Sequence, residues 1–476
     1  MVLTLRALRI SIVDGIFAQI FANLTGSIFL PAFALALSAN SFQIGLLAAI
    51  PLFATIAQLA GASLIETLQN RKKLTIIFAS LARSVWIPVI VLSIVFSGRS
   101  PQTMLKILIL GILVYNIFGA ISGVSWLSWM STMVPQEIRG RYFGLRNSIL
   151  GVFTILTTLL GGYYLDWIKT AFPVLSPASP FEILMIAAVI SAGLSIFFLL
   201  KQPEIRRKKK YSANLKTLFS LPLRHPQFKK LLRFALIWSF AVNFASPFFI
   251  VYMLKDLHFS YTLVGALSVA SSLADLSGMW VWGHFSDRIG NRPIVLITAA
   301  AATILPFLWI FTDASPLSAF LFIPLLHLFG GFFWAGYNLC AVNLVFRMAP
   351  PRGNSPYFAL WASVNGITAG LGAIAGGVMA NNISVFMRLL PLEFSSGFKL
   401  IFLISAVLRF FSLFLLKNVR EAEGLPVVRA VRILRSIKSW TAMMGYHPVL
   451  QFFLPGHAGE VETSPYWPIW QRKDVK

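Results

Sequence analysis

Residues 283–292 read Gly283-His284-Phe285-Ser286-Asp287-Arg288-Ile289-Gly290-Asn291-Arg292, a charged turn set between two long apolar runs. A degenerate copy stands 221 residues earlier, where Glu66 is followed by Gln69-Asn70-Arg71-Lys72 as Asp287 is by Gly290-Asn291-Arg292-Pro293. Asn40-Ser41-Phe42-Gln43-Ile44-Gly45-Leu46 returns as Ser260-Tyr261-Thr262-Leu263-Val264-Gly265-Ala266 at an offset of 220. Tyr142-Phe143-Gly144-Leu145 returns as Tyr357-Phe358-Ala359-Leu360 at 215. Offsets that drift so little over a whole half mark a parallel internal repeat. The chain is two copies of one unit in the same orientation.

Composition says where that unit lives. Of 476 residues, 57% are apolar and only 12% are charged, against roughly 45–50% and about 25% in soluble domains. This excludes an ordinary soluble enzyme, a disordered chain and a secreted disulfide scaffold. The lone Cys340 forms no internal bridge. Crossing a bilayer takes about 20 apolar residues. Stretches near 12–37, 43–65, 74–97, 104–133, 145–165, 181–200, 231–254, 261–284, 293–312, 317–346, 358–380 and 398–416 qualify as spans 1 to 12. Turn chemistry marks several breaks, such as Thr312-Asp313-Ala314-Ser315-Pro316. The first span lacks a small-residue cleavage site and is expected to be retained. The expected fold class is an all-α polytopic membrane protein with six helices in each pseudo-symmetric half.

A net charge of +24 suggests nucleic acid in a soluble protein, but here the basic residues cluster between apolar runs. With a cytoplasmic N-terminus, 32 of the 40 Lys and Arg fall on the inner side and 6 on the outer. The positive-inside bias therefore places both termini in the cytoplasm, with no nucleic-acid partner. The expected parts are an N-terminal half over 1–200, a basic cytoplasmic linker over 201–230, a C-terminal half over 231–418 and a cytoplasmic tail over 419–476. In the tail, Ala430, Ile433, Leu434, Ile437, Trp440 and Met444 share one helical face and Arg429, Arg432, Arg435 and Lys438 the other. That pattern predicts a basic amphipathic helix lying on an anionic inner leaflet.

The turn at 283–292 resembles the G-x-x-x-D-R-x-G-x-[RK] loop of the major facilitator superfamily. Pro135-Gln136-Glu137-Ile138-Arg139-Gly140-Arg141-Tyr142-Phe143-Gly144 resembles that superfamily's P-x-x-x-R-G-R segment between spans 4 and 5. The resemblance covers about residues 10–418 and implies the twelve-helix fold and a transporter. It also implies that Glu66 and Asp287 approach a helix N-terminus of the opposite half, where free N–H groups and the dipole attract a carboxylate. Gly283, Arg288, Gly290 and Arg292, with Arg71, Arg139 and Arg141, complete the expected gate. The alternative is that these charges only fix loop topology.

Polar groups inside spans are the candidates for a transport path. They are Gln19 and Asn23 on span 1, Asn116 on span 4, Asn243 on span 7, Asp275 on span 8, Trp334, Tyr337 and Asn338 on span 10, and Asn365 on span 11. In the superfamily spans 1, 4, 7 and 10 line the central cavity, so the resemblance implies such a lining; any one amide also has the bland option of bonding a neighbouring helix. Trp126 and Trp129 sit where tryptophan serves as an interfacial anchor. Arg83 and Arg409, deep in spans 3 and 12, are expected to bond neighbouring helices, and Asp14 to snorkel from the inner end of span 1. His327 is read as a hydrogen-bonded structural residue. Span 11 carries Gly366, Gly370, Gly372, Gly376 and Gly377, which suits either fixed packing or a sliding seam.

The leading expectation is a secondary transporter in the plasma membrane. It moves a small organic solute by alternating access, as a monomer, with Asp275 a candidate for proton coupling. Amphiphile efflux is the nearest alternative. A lipid-processing enzyme would need a convergent His/Asp or Ser/His cluster, and the six histidines scatter. No G-x-x-x-x-G-K-[ST] segment is present for ATP, and no cofactor or metal is expected.

Overall fold

A computed structural model of the chain describes residues 2–68, 70–96, 99–173, 176–204, 222–350, 355–389, 396–421 and 425–435. Gln69, the middle of the linker and the tail beyond 435 lie outside the described residues, as does the Glu66 side chain. Twelve helices among the described residues are long and apolar enough to cross a membrane. Spans 1 to 6 run over Ala7–Ala36, Ser41–Ile65, Arg71–Phe96, Pro101–Met133, Arg139–Ala171 and Ser179–Lys201. Spans 7 to 12 run over Pro226–Lys255, Tyr261–Ile289, Asn291–Phe311, Ser318–Met348, Pro356–Asn381 and Gly397–Lys417. Span 5 reaches further at both ends than the expected 145–165, because its polar ends continue as helix outside the apolar window.

Helix is forced on each span because the hydrocarbon core offers backbone groups no water. Where the spans begin is set by capping. In the first copy of the repeat Asn40 accepts from Gln43 N at 2.9 Å while Gln43 Oε1 accepts from Asn40 N at 2.8 Å, a reciprocal box. In the second copy Ser260 Oγ accepts from Leu263 N at 3.2 Å. The repeat at offset 220 is thus a repeated helix start. The expected turn at 312–316 also forms: Ser315 donates to Asp313 Oδ1 through its N–H at 3.0 Å and its hydroxyl at 2.5 Å. Those bonds hold the Asp313 carboxyl below its ordinary range.

The chain forms two compact units, Met1–Gly424 and Leu425–Lys476. In the second, Val427–Arg435 is helical, which covers the start of the expected amphipathic helix; Ile437 to Met444 lie outside the described residues. In the first unit, span 1 packs on spans 5 and 6, and span 4 on spans 2 and 3. In the second half span 8 packs on span 10, span 7 on spans 11 and 12, and span 9 on spans 10 and 12. The halves meet through span 2 on span 11 and span 5 on span 8, with the Phe29–Ala36 end of span 1 touching the Phe248–Lys255 end of span 7. The main apolar core follows this junction, joining Phe29, Phe33 and Ile44 to Phe248, Tyr252 and Phe398.

Candidate functional site

The seam between the halves gathers at one face of the bundle, that of the loops at 38–41 and 256–260. A Cβ on Gly45 would lie 2.4 Å from Ala373 O and 3.1 Å from Gly377 Cα, so spans 2 and 11 touch backbone to backbone. Further along, Gly366 faces Leu52 O and Thr55, and Gly370 faces the Phe53 ring. Gly372 and Gly376 instead face Phe240 O and Phe244 O of span 7. Span 11 therefore presents one small-residue row to its own half and another to the opposite half. Small residues make such approaches possible in lipid.

Span 5 meets span 8 through a carboxylate. Asp166 Oδ1 accepts from Tyr261 N at 2.9 Å, and its Oδ2 accepts from Thr262 N at 2.8 Å and Thr262 Oγ1 at 2.5 Å. Free N–H groups and the positive dipole end of span 8 are thus capped by the other half. The same inter-half capping was expected of Glu66 and Asp287, and sequence reading missed Asp166. Its one signal is an acid at a span end with the repeated Ser260 helix start to receive it. Replacing Asp166 by Asn should weaken this junction by ~0.3–2 kcal/mol. Spin labels on Thr170 and His258 would then show the short-distance population reduced about two- to thirtyfold; an unchanged distribution would leave the cap without mechanical weight.

The loop motif occupies the opposite face, with the linker. Gly290 has φ 93° and is both the end of span 8 and the start of span 9, a conformation that suits glycine. Glu421, beyond span 12, accepts from Asn291 N at 3.1 Å and Arg292 N at 2.7 Å and pairs with Arg347 at 3.4 Å. Arg292 donates to Lys417 O at 3.0 Å. In the first copy Lys72 donates to Leu200 O at 2.8 Å, so both halves tie the start of the third span to the end of the sixth. Glu421 was not anticipated, although extending the repeat pairs it with Glu204. Asp287 and Arg288 are exposed, as is Arg141, and Gly283 and Arg71 are half-buried. Arg139 donates to Ser131 O at 2.8 Å and Val134 O at 3.3 Å, satisfying carbonyls at the end of span 4.

The polar residues of the spans divide by what they touch. Asn23 is buried, and its amide donates to Thr157 Oγ1 at 2.7 Å and Thr158 Oγ1 at 2.9 Å, binding span 1 to span 5. Asn365 accepts from the Ser239 hydroxyl, while Asn116 and Asn243 donate to carbonyls one turn back on their own helices. Tyr337 and Trp334 join Trp238 and Phe234 in an aromatic cluster between spans 7 and 10, with centroids 5.1 to 6.4 Å apart. Arg409 lies near Trp334 and donates to Ala302 O at 2.8 Å, which links span 12 to span 9. Asn338 is exposed. Asp275 is half-buried and has no hydrogen bond or ion pair among the described residues.

Gln19 opens on a cavity of about 330 Å³ inside the first half, with Asp14, Arg83, Tyr115, Trp126 and Arg146 on its walls. Three expectations fail here. Asp14 does not snorkel: it is 3% exposed and accepts from Ser195 Oγ at 2.5 Å, because span 6 covers it. Among the described residues Arg83 makes no hydrogen bond to a neighbouring helix, and it faces the cavity instead. Trp129 is fully buried and donates to Pro203 O at 3.2 Å rather than anchoring at an interface. Among the described residues no three His, Cys, Asp or Glu side chains are grouped to hold a metal.

Known proteins carry the same architecture. A bacterial homologue of the iron transporter ferroportin, in an inward-facing state, superposes with a TM-score of 0.65 at 13% identity, covering 87% of this chain and 98% of its own. A variant of the nucleoside transporter NupG gives 0.65 at 14%, covering 88% and 100%, and a D-xylose-proton symporter 0.61 at 15%, covering 90% and 98%. No curated protein sequence matches significantly. The Major Facilitator Superfamily family model matches residues 15–252 and again 234–466. Two matches in tandem, on twelve helices arranged as two copies of one unit, make the chain a member of the Major Facilitator Superfamily of transporters.

Proposed function

We propose that the chain is a secondary transporter that moves a small organic solute across the plasma membrane by alternating access, working as a monomer with both termini in the cytoplasm. The observation that carries this reading is the one-sided seam. Spans 2 and 11, and spans 5 and 8, join the halves through backbone contacts at Gly45 and Gly162 and through the Asp166 cap. The Ala57–Leu68 part of span 2, toward the loop motif, has its principal contacts within its own half. Two bundles joined at one face supply the asymmetry that a rocking mechanism reverses.

The excess of Lys and Arg on the linker face, 32 against 6, supports reading that face as cytoplasmic and the joined face as outer. Asp287 is then free in the inward-open state and engages the opposite half only when the cytoplasmic side closes. A contact made in one state alone biases the equilibrium. Charged side chains on the first-half cavity favour a solute that carries a charged or polar group. Asp275 is the proposed site of proton coupling.

The test has two parts. Cysteines at Arg224 and Ala314 should react with impermeant reagent from opposite sides of the membrane, Ala314→Cys from outside. In proteoliposomes, a solute that stabilises the purified chain should exchange across the bilayer without nucleotide or ion gradient. Stabilising solutes that never exchange would leave a binding protein and remove the transport reading.

A further inference from the structure

The cavity of the first half holds more positive charge than the protein itself balances. Its walls come from the linker-side parts of spans 1, 3, 4, 5 and 6 and carry one acid, Asp14, with two arginines, Arg83 and Arg146. Asp14 already accepts the Ser195 hydroxyl. Among the described residues no carboxylate lies within ion-pair distance of either guanidinium. Arg83 Nη1 and Arg146 Nε are buried without a hydrogen-bond partner.

Unused charged donors at this depth are costly, and most buried polar groups are satisfied. The protein nonetheless holds them in place. The Arg146 guanidinium stacks 4.6 Å from the Trp126 ring centroid. It also lies against span 1 where a Cβ on Gly15 would come within 2.5 Å of Arg146 Nη2, so glycine at 15 leaves its room. Arg83 lies over the Phe21 ring at 6.0 Å. Two guanidiniums on different helices, braced by aromatic faces and open to a cavity, are built to receive planar oxygen pairs.

We propose, on the reading that the chain is a transporter, that this cavity binds an oxyanion, carboxylate or phosphate, between Arg83 and Arg146. Asp14 sets the net charge of the empty site at one positive, so a singly charged anion leaves it neutral. Trp126 and Tyr115 offer faces for an apolar or aromatic body attached to the anionic group.

The experiment uses the full chain purified in detergent. Its melting temperature is followed in millimolar sodium benzoate or inorganic phosphate, against sodium chloride of equal ionic strength and against neutral benzamide. Benzoate or phosphate should stabilise, and chloride and benzamide should not. Arg83→Gln and Arg146→Gln should each weaken the apparent affinity about ten- to a hundredfold. Gly15→Ala keeps every charge but displaces Arg146, and serves if a Gln variant does not fold; it too should bind more weakly. Equal stabilisation by benzamide, or an unchanged benzoate and phosphate response in these variants, overturns the site. Vesicles of phosphatidylglycerol and of phosphatidylcholine separate the two sources of phosphate. Stabilisation by the anionic vesicles alone, lost in the variants, assigns the oxyanion to a lipid headgroup. Exchange of a neutral solute with no oxyanion response would overturn the site and leave the transporter standing; oxyanion binding without any exchange would do the reverse.

Discussion

Gly45→Ile should abolish transport while the chain remains folded and inserted. At Gly45 the nearest atoms belong to the backbone of span 11, with Ala373 O at 2.4 Å and Gly377 Cα at 3.1 Å from a Cβ. A backbone carbonyl inside a helix cannot rotate aside, so the two halves themselves must separate. Overpacking costs ~1–3 kcal/mol in a well-packed core. A contact this close belongs at the upper end, on the order of a hundredfold in the balance of states. The residue lies on the seam rather than within one half, so each bundle keeps its own packing. A cysteine at Ala373, fully buried in the joined arrangement, should become reactive to alkylation in this variant. Gly193→Ala is the matched control, since nothing lies within 4 Å of a Cβ there. Transport at the normal rate in Gly45→Ile would show that the seam never needs to close this tightly.

Asp275→Asn should lose solute accumulation driven by a pH gradient and keep solute exchange. A carboxylate this deep in a span costs about 2.5–3.5 kcal/mol on insertion scales, and no basic side chain pairs with it among the described residues. Ser268, Ser271 and Ser272 share its helix face by spacing. Two of these hydroxyls donate to their own backbone, Ser268 to Val264 O and Ser272 to Ser268 O, both at 2.9 Å. An unpaired acid is then left with two states, protonated or wet, and passage between them is a proton transfer. One pH unit is worth about 1.36 kcal/mol, so one-to-one coupling supports about tenfold accumulation per unit. Asparagine keeps the shape and removes the titration, which should bring that ratio to about one. Gradient-driven accumulation that survives the substitution would dismiss Asp275 as the coupling site.

The architecture was legible because lipid leaves the chain few options. Apolar length fixes the spans, and the repeats at Asn40 and Ser260 fix two equivalent helix starts. Gly290 lies at the corner between spans 8 and 9, where backbone geometry demands its residue type. The site was legible only in part. Asn23 and Asn365 read as path candidates because an amide in a span is conspicuous, yet each bonds a neighbouring helix. The place of Arg146 between Trp126 and Gly15 left no mark in the sequence, since it depends on where span 5 meets spans 4 and 1. Asp166 and Glu421 act on helix ends far away in sequence, at separations of 95 and 130 residues. Spacing along one helix carries no trace of such contacts.

The corner at Gly290 has a mechanical consequence. Span 8 ends at Ile289 and span 9 begins at Asn291, which leaves a joint with no slack. Glu421 and Arg292 then clamp the start of span 9 to the far end of span 12 and to span 10. Torque applied to span 8 at its seam with span 5 passes through this joint without being absorbed by loop bending. Spans 8 and 9 are thereby tied to spans 10 and 12 within their own half. At the matching position in the sequence the first half carries Gln69 in place of glycine, so the residue type that permits the corner at Gly290 is present in one copy of the repeat alone.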